Sequence, residues 1–157
     1  MEKLLELLKE KGLTLGSVES LTGGLFASEV TSISGASKVF KGALVTYSAE
    51  EKIKFAHVHV DVIKEYSVVS KEVAVEMAVG GKDALNVDVC VSATGNAGPT
   101  SDIGGKPVGE VHIAVTYKDT IIHKQFSLKG DRNHIRCMCV QEMKKLVSQT
   151  VLQDLQK

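Results

Sequence analysis

A chain of 157 residues, 43% hydrophobic, 24% charged and formally uncharged at neutral pH, has the length and balance of one soluble globular domain with a sizeable core. Zero net charge argues against broad electrostatic attachment to nucleic acid, and the longest apolar runs fall far short of a membrane span. No signal peptide is visible at Met1-Glu2-Lys3, so a cytoplasmic location is expected. Aromatic residues make up only 4%, with no Trp, which leaves aliphatic side chains and Met to fill the interior.

Leu4, Leu5, Leu7 and Leu8 among alternating Glu and Lys predict an amphipathic helix over 2–11, ended by Gly12. Residues 13–19 read as a first strand, and a helix follows from Thr22 to about Val30. The turn-rich run Ser32 to Ser37 is a loop, and Lys38 to Tyr47 the next strand, with a bulge expected at Gly42. Ser48, with Glu51 three residues on, is a capping box that places Lys52 in the first turns of a helix.

Residues 60–66 form a short helical piece, and Ser70 caps a longer helix from Lys71 to about Leu85. Gly80-Gly81 inside that helix costs roughly 1 kcal/mol per glycine against Ala, which implies a close packing contact there. The run Val87 to Ala93 has the character of a central strand. Thr94 to Val108 is a long glycine-rich loop. Strands at 110–117 and 120–128 follow, joined by a tight turn at Lys118-Asp119. Gly130-Asp131-Arg132 leads into a final helix to about Leu155, with Ile135, Met138, Met143, Leu146, Val147, Val151 and Leu152 as its core stripe. Alternating helices and strands closed by a hairpin predict an α/β fold: one domain over 1–157, with a mixed sheet covered by helices on both faces.

The three cysteines, Cys90, Cys137 and Cys139, are read as reduced and mostly buried, with Cys137 and Cys139 on different helix faces. A metal set from Cys137, Cys139 and His134 lacks a second ligand cluster of suitable spacing, so no metal is expected.

Three loops are polar and glycine-rich: 19–24, 94–105 and 129–132. Loops after strand ends build the ligand crevice of an α/β sheet, so the three are expected to converge. In the first, Ser20 and Thr22 stand beside Gly23 and Gly24 at a helix start, where unpaired N–H groups favour anions or developing negative charge. Ser20 either caps the helix or acts as a nucleophile or oxyanion partner. No Ser–His–Asp arrangement is evident, so a base would have to be an amine with a lowered pKa. Lys52, with Tyr47 nearby in sequence, is the candidate, against the alternatives of a solvated helix lysine and a core tyrosine. Thr94-Gly95-Asn96-Ala97-Gly98-Pro99 offers an anion nest or a simple glycine turn, without the spacing of a P-loop or dinucleotide fingerprint. Arg132 is a fork for phosphate or carboxylate, or a partner for Asp131, and Arg136 lies one turn on.

The ordered set Glu19 to Gly24, Gly35 to Phe40, Gly42 through Tyr47-Ser48 to Lys52, Val69-Ser70, Thr94 to Pro99, Lys106 to Gly109 and Gly130-Asp131-Arg132 resembles the CinA C-terminal domain family, the nicotinamide-nucleotide amidases. The resemblance covers nearly the whole chain. It implies that the carboxamide of nicotinamide mononucleotide is hydrolysed to nicotinate mononucleotide and ammonia, a pyridine-nucleotide salvage step, without a metal or other cofactor. Carried over by motif, the catalytic set is Ser20, Ser37, Tyr47 and Lys52, with Ser20 and Ser37 competing as nucleophile. The substrate-binding set is Thr22, Gly23, Gly24, Thr94, Gly95, Arg132 and Arg136.

Leu21 stands where the family commonly has Cys, Val18 where it often has Ala, and Ala49 where Asn is common. Asn96 replaces a usually apolar residue and is expected to alter the substrate pocket. The N-terminal domain of many members is expected to be absent. The expected partner is a small pyridine nucleotide, with no membrane and no direct nucleic acid. A homo-oligomer is expected, formed through the last helix or the strand at 120–128. The alternative is a nucleotide-binding or sensing module without turnover, linked to competence or DNA damage.

Overall fold

The computed structural model describes residues 1–101 and 104–154. Six helices and five strands are found among them: α1 (Glu2–Glu10), β1 (Leu15–Glu19), α2 (Leu25–Thr31), a 3-10 turn (Ala36–Lys38), β2 (Phe40–Val45), α3 (Ala49–Ala56), α4 (Val60–Tyr66), α5 (Lys71–Leu85), β3 (Val89–Gly95), β4 (Glu110–Tyr117), β5 (Thr120–Ser127) and α6 (Arg132–Gln153). The strands form one sheet in the order β2-β1-β3-β4-β5. β1 runs parallel to both β2 and β3, whereas β4 is antiparallel to β3 and β5 to β4.

Alternation along the strands sends side chains to two different layers. Leu15, Val89, Val91, Val111, Ile113 and Val115 face α1, α2 and α6, where Leu8, Phe26, Val30, Ile135, Met143 and Val147 complete the larger core. Val18 and Cys90 face the other way, against Val73 and Met77 of α5 and Ala56 of α3. The expected mixed sheet with helices on both faces is therefore what the chain forms.

Several element boundaries differ from the sequence reading, each for a local reason. Residues Ser20 to Gly24 make a turn rather than the first turn of α2, and Gly24 caps that helix with φ 97°. β3 begins two residues late because Asp88 is engaged at the strand's foot, its carboxylate accepting the Thr14 N–H and hydroxyl, each at 2.8 Å. It runs on through Gly95, where an added Cβ would lie 2.7 Å from the Glu110 carbonyl. The expected irregularity near Gly42 is a register shift: Leu15 and Gly16 pair with Phe40 and Gly42, leaving Lys41 extra. In α6 the buried stripe is Ile135, Cys139, Val140, Met143, Leu146, Val147, Thr150 and Val151, whereas Leu152 is exposed and Met138 only partly covered. The expected helix end at Leu155 lies outside the described residues. Cys90 and Cys139 are buried and free, while Cys137 is exposed on the outer face of α6.

Gly80 and Gly81 are the packing contact anticipated from their place inside a helix. A Cβ on Gly80 would sit 1.7 Å from the Ala56 carbonyl oxygen, and one on Gly81 2.1 Å from Val18 Cγ2. Helix α5 therefore touches the end of α3 on one side and β1 on the other. Gly80→Ala is expected to destabilise the fold by about 2–3 kcal/mol, the range of core overpacking, despite its gain in helix propensity. Urea unfolding at constant m-value measures it.

Candidate functional site

The parallel strands β1 and β3 end side by side, and the chain leaves them in opposite directions: β1 connects to β2 on one side of itself, while β3 lies on the other. Such a switch in strand order opens a crevice at the carboxyl ends of the strands. The cavity there has a volume of about 170 Å³. Its walls come from Ser20 and Leu21 after β1, Tyr47, Ala49 and Lys52 around the start of α3, Val68 and Val69 before α5, Thr94 to Gly98 with Thr100, and Arg132 at the start of α6. All three glycine-rich loops thus reach one place.

Backbone pairing continues past the end of β1 and fixes the first wall. The Ser20 N–H donates to Ala93 and the Thr46 N–H to Glu19, so Ser20 is held between the two neighbouring strands. Ser48 caps α3 by accepting the Glu51 N–H at 3.3 Å. That start places Lys52 and Ala56, four residues apart, on the helix face turned to the core.

Lys52 is not a solvated helix lysine: it is 2% exposed. Its Nζ donates to the Thr46 carbonyl at 2.7 Å and lies 2.9 Å from Ser20 Oγ, which is itself 8% exposed. Burial penalises the ammonium form and lowers the Lys52 pKa to about 8. A neutral amine has two N–H donors and one lone pair. With one donor on the Thr46 carbonyl, the lone pair can take the Ser20 hydroxyl proton, an arrangement chemically able to serve as a nucleophile beside its base.

Tyr47 is 61% exposed at the cavity mouth rather than in the core. Its hydroxyl accepts from Arg132 Nη2 at 2.9 Å, and Arg132 Nη1 donates to the Gly98 carbonyl. The guanidinium thus bridges two walls of the mouth instead of pairing with Asp131, whose carboxylate caps α6 through the His134 N–H. Thr94 lines the cavity with its hydroxyl engaged on the Val68 carbonyl at 2.7 Å.

Other expected residues stand elsewhere. Ser37 lies on the 3-10 turn and lines a separate depression with Thr31, Phe40 and Lys41, away from Lys52. Thr22, Gly23 and Gly24 do not line the cavity, and the Thr22 hydroxyl is buried without a partner among the described residues. Arg136 spends its donors on the Leu21 and Thr22 carbonyls and on Asn133 Oδ1. It braces the Ser20–Gly24 turn from behind. Asn96 reaches the cavity lining, but both ends of its amide are occupied, by the Gly98 N–H and the Lys106 carbonyl. Its departure from the family pattern ties the loop's two ends together.

Glu19 was visible in the motif but carried no expected role. Its side chain is fully buried and accepts the Phe26 and Ala27 N–H groups of α2, at 2.9 and 3.1 Å, together with the Ser17 hydroxyl at 3.2 Å. The start of α2 is thereby filled by the chain's own carboxylate and is not an open anion site. A Glu just before a serine–glycine turn, seven residues ahead of a helical N–H, was the available signal.

The sequence model of the CinA C-terminal domain matches residues 1–151, and the chain belongs to that family. It is 43% identical to a CinA-like protein of Dictyoglomus turgidum over 135 residues, 86% of this chain and 33% of the relative. The chain thus spans about a third of the length of the curated relatives it matches. A solved competence-damaged protein (CinA) superfamily structure from Escherichia coli superposes with TM-score 0.92 at 29% identity, covering 94% of this chain and 86% of that one. The competence/damage inducible protein CihA of Agrobacterium tumefaciens gives 0.90 at 29% identity, covering 93% and 90%. Among the described residues, no helix is long and apolar enough to cross a membrane.

The lowered Lys52 pKa has a consequence for stability. Between about 8 and the ordinary lysine value of 10.5, the unfolded chain keeps the proton that the folded chain has lost, so folding becomes more favourable as pH rises. The stability of the wild type relative to Lys52→Met is expected to increase across that window by about 3 kcal/mol. Paired urea unfolding curves at pH 7.5 and 10.5 measure it; a difference that stays flat would mean the amine is not desolvated.

Proposed function

We propose that this chain is a serine amidase of the Ser–Lys type that hydrolyses the carboxamide of nicotinamide mononucleotide to the carboxylate and ammonia. The observation that carries the reading is the buried Lys52 amine 2.9 Å from Ser20 Oγ. Chemistry requires a neutral base there, and burial supplies one without a histidine.

Ser20 Oγ attacks the carboxamide carbon while the neutral Lys52 amine takes its proton. Leu21 and Ala97 line the cavity and their N–H groups have no backbone acceptor among the described residues, so these two N–H groups are assigned to the oxyanion. Collapse of the tetrahedral intermediate breaks the C–N bond, and the Lys52 ammonium returns the proton to the departing nitrogen as ammonia. Water, deprotonated by the same amine, then attacks the Ser20 ester; the C–O bond to Ser20 breaks, the Lys52 ammonium returns the proton to Ser20 Oγ, and the acid leaves as its carboxylate with loss of a proton to solvent. A cavity of about 170 Å³ takes the pyridine carboxamide and leaves ribose and phosphate at the mouth. Arg132 is the cation for that phosphate, and Tyr47, whose oxygen already accepts from Arg132, turns its own proton toward the substrate. Ser37, set apart from Lys52, has no part in this scheme.

Ammonia release from nicotinamide mononucleotide tests the proposal. Ser20→Ala and Lys52→Ala are expected to lower kcat/KM by about 10³-fold or more, and Ser37→Ala by less than about threefold. Because only the neutral amine is active, kcat/KM should rise about tenfold per pH unit up to the Lys52 ionisation near 8 and then level. Binding of the nucleotide without ammonia release would establish the non-catalytic sensing module instead.

A further inference from the structure

We infer that Glu19 is a positioning residue for the Ser20 nucleophile, acting through the turn between them and α2. The inference rests on the Ser20–Lys52 pairing and extends it to a residue outside the cavity.

Glu19 and Ser20 are neighbours on a strand end, so their side chains leave opposite faces of the sheet: Ser20 toward Lys52, Glu19 toward α2. The Glu19 carboxylate accepts from Phe26 and Ala27, and the turn Ser20–Gly24 lies wholly between donor and acceptor. These bonds close a ring around the turn. Within it, the Gly23 N–H donates back to the Ser20 carbonyl at 3.0 Å, and Arg136 holds the Leu21 and Thr22 carbonyls from outside. Ser20 and the Leu21 N–H are thus carried on a segment whose two ends the carboxylate clamps. Among the described residues no Lys, Arg or His forms an ion pair with Glu19; the partners of its carboxyl oxygens are two helix N–H groups and the Ser17 hydroxyl. Two carboxylate oxygens meet three donors. An amide keeps one acceptor oxygen and turns an NH2 group against a facing N–H, which opens the ring at nearly constant volume.

The test is independent of the substrate: labelling by methanesulfonyl fluoride, followed by mass spectrometry of the intact chain and of the Ser20 peptide. Ser20 Oγ bonds to sulfur, fluoride leaves and Lys52 takes the proton. Glu19→Gln is expected to slow Ser20 labelling threefold or more below its unfolding temperature, with the midpoint of the pH–rate curve unchanged, because the turn moves while the base does not. Slowing of less than threefold in the folded variant overturns the inference, as does a shifted midpoint, which would mean that Glu19 acts through its charge on Lys52. If Glu19→Gln does not fold, Glu19→Asp, which keeps the carboxyl but shortens its reach to the two α2 N–H groups, decides by the same threefold criterion. A wild type that takes no label at Ser20 overturns the pairing and this inference together. A labelled wild type that releases no ammonia from the nucleotide overturns the amidase proposal alone and leaves the effect of Glu19 to be read from the labelling rates.

Discussion

An amine enclosed by protein, touching one carbonyl and one hydroxyl, is the contact on which the rest of this structure depends. An ammonium in that place would cost several kcal/mol of lost hydration, and among the described residues no carboxylate pairs with it. The neutral form avoids most of that cost and keeps both contacts, with one N–H on Thr46 and the lone pair available to Ser20. Desolvation therefore produces, in one step, a lysine that is tolerable in the interior and a base suited to neutral pH. Fold and chemistry meet in this atom: whatever lets water reach Nζ moves its pKa back toward 10.5 and shrinks the neutral fraction that can accept a proton near pH 7.

Keeping water out is a matter of how closely three elements approach. Lys52 rides on α3 and Ser20 on the end of β1, with α5 packed against both. The paired glycines at 80 and 81 let α5 come within contact of the Ala56 carbonyl and of Val18, one residue of which ends the helix bearing the base and the other of which lies two residues from the nucleophile. A helix paying the propensity cost of two adjacent glycines gains a fixed separation between those elements. The Thr94 hydroxyl on the Val68 carbonyl adds a second tie, holding the Val68–Val69 wall against β3. The cavity is thus bounded by contacts whose individual lengths are set by side chains of minimal size or by hydrogen bonds, both of which leave little slack.

Much of this was legible before any coordinates. Apolar periodicity marked α5 and α6, Ser70 and Ser48 marked helix starts, and three polar loops after strand ends marked the crevice. Burial of Lys52 was not legible, because a lysine among glutamates in a short helix carries the pattern of a solvated face; its inward aim follows from how α3 packs on α5, which is a tertiary fact. Ser37 misled for a related reason. It precedes β2 in sequence, and β2 delivers Tyr47, but the strand's full length separates its two ends in space. Asn96 suggested a polar contact for substrate; hydrogen bonding inside the loop consumes it, a competition that sequence spacing does not resolve. Glu19 was hidden by its position at the close of an apolar strand, where its three partners are all supplied by backbone or by a residue two positions back.

The helix start after a serine–glycine turn is an attractive place for a substrate's negative end, since its N–H groups and dipole favour anions. In this chain that place is occupied by Glu19, whose carboxyl oxygens already accept the Phe26 and Ala27 N–H groups that a ligand's anion would need. Recognition of an anionic ligand must then come from a side-chain cation on the other side of the cavity. Arg132 is a cavity-lining cation, held at the mouth by Gly98 and Tyr47, with further N–H donors that have no partner among the described residues. In the proposed reaction the polarity of the site follows: the reacting carbonyl would lie deep, between Ser20 and the loop at 94–98, and the charged end outward at the start of α6. Such an orientation would keep the charge of the proposed substrate's phosphate away from Lys52, where it would stabilise the ammonium, raise the pKa and work against the lowering that burial produces.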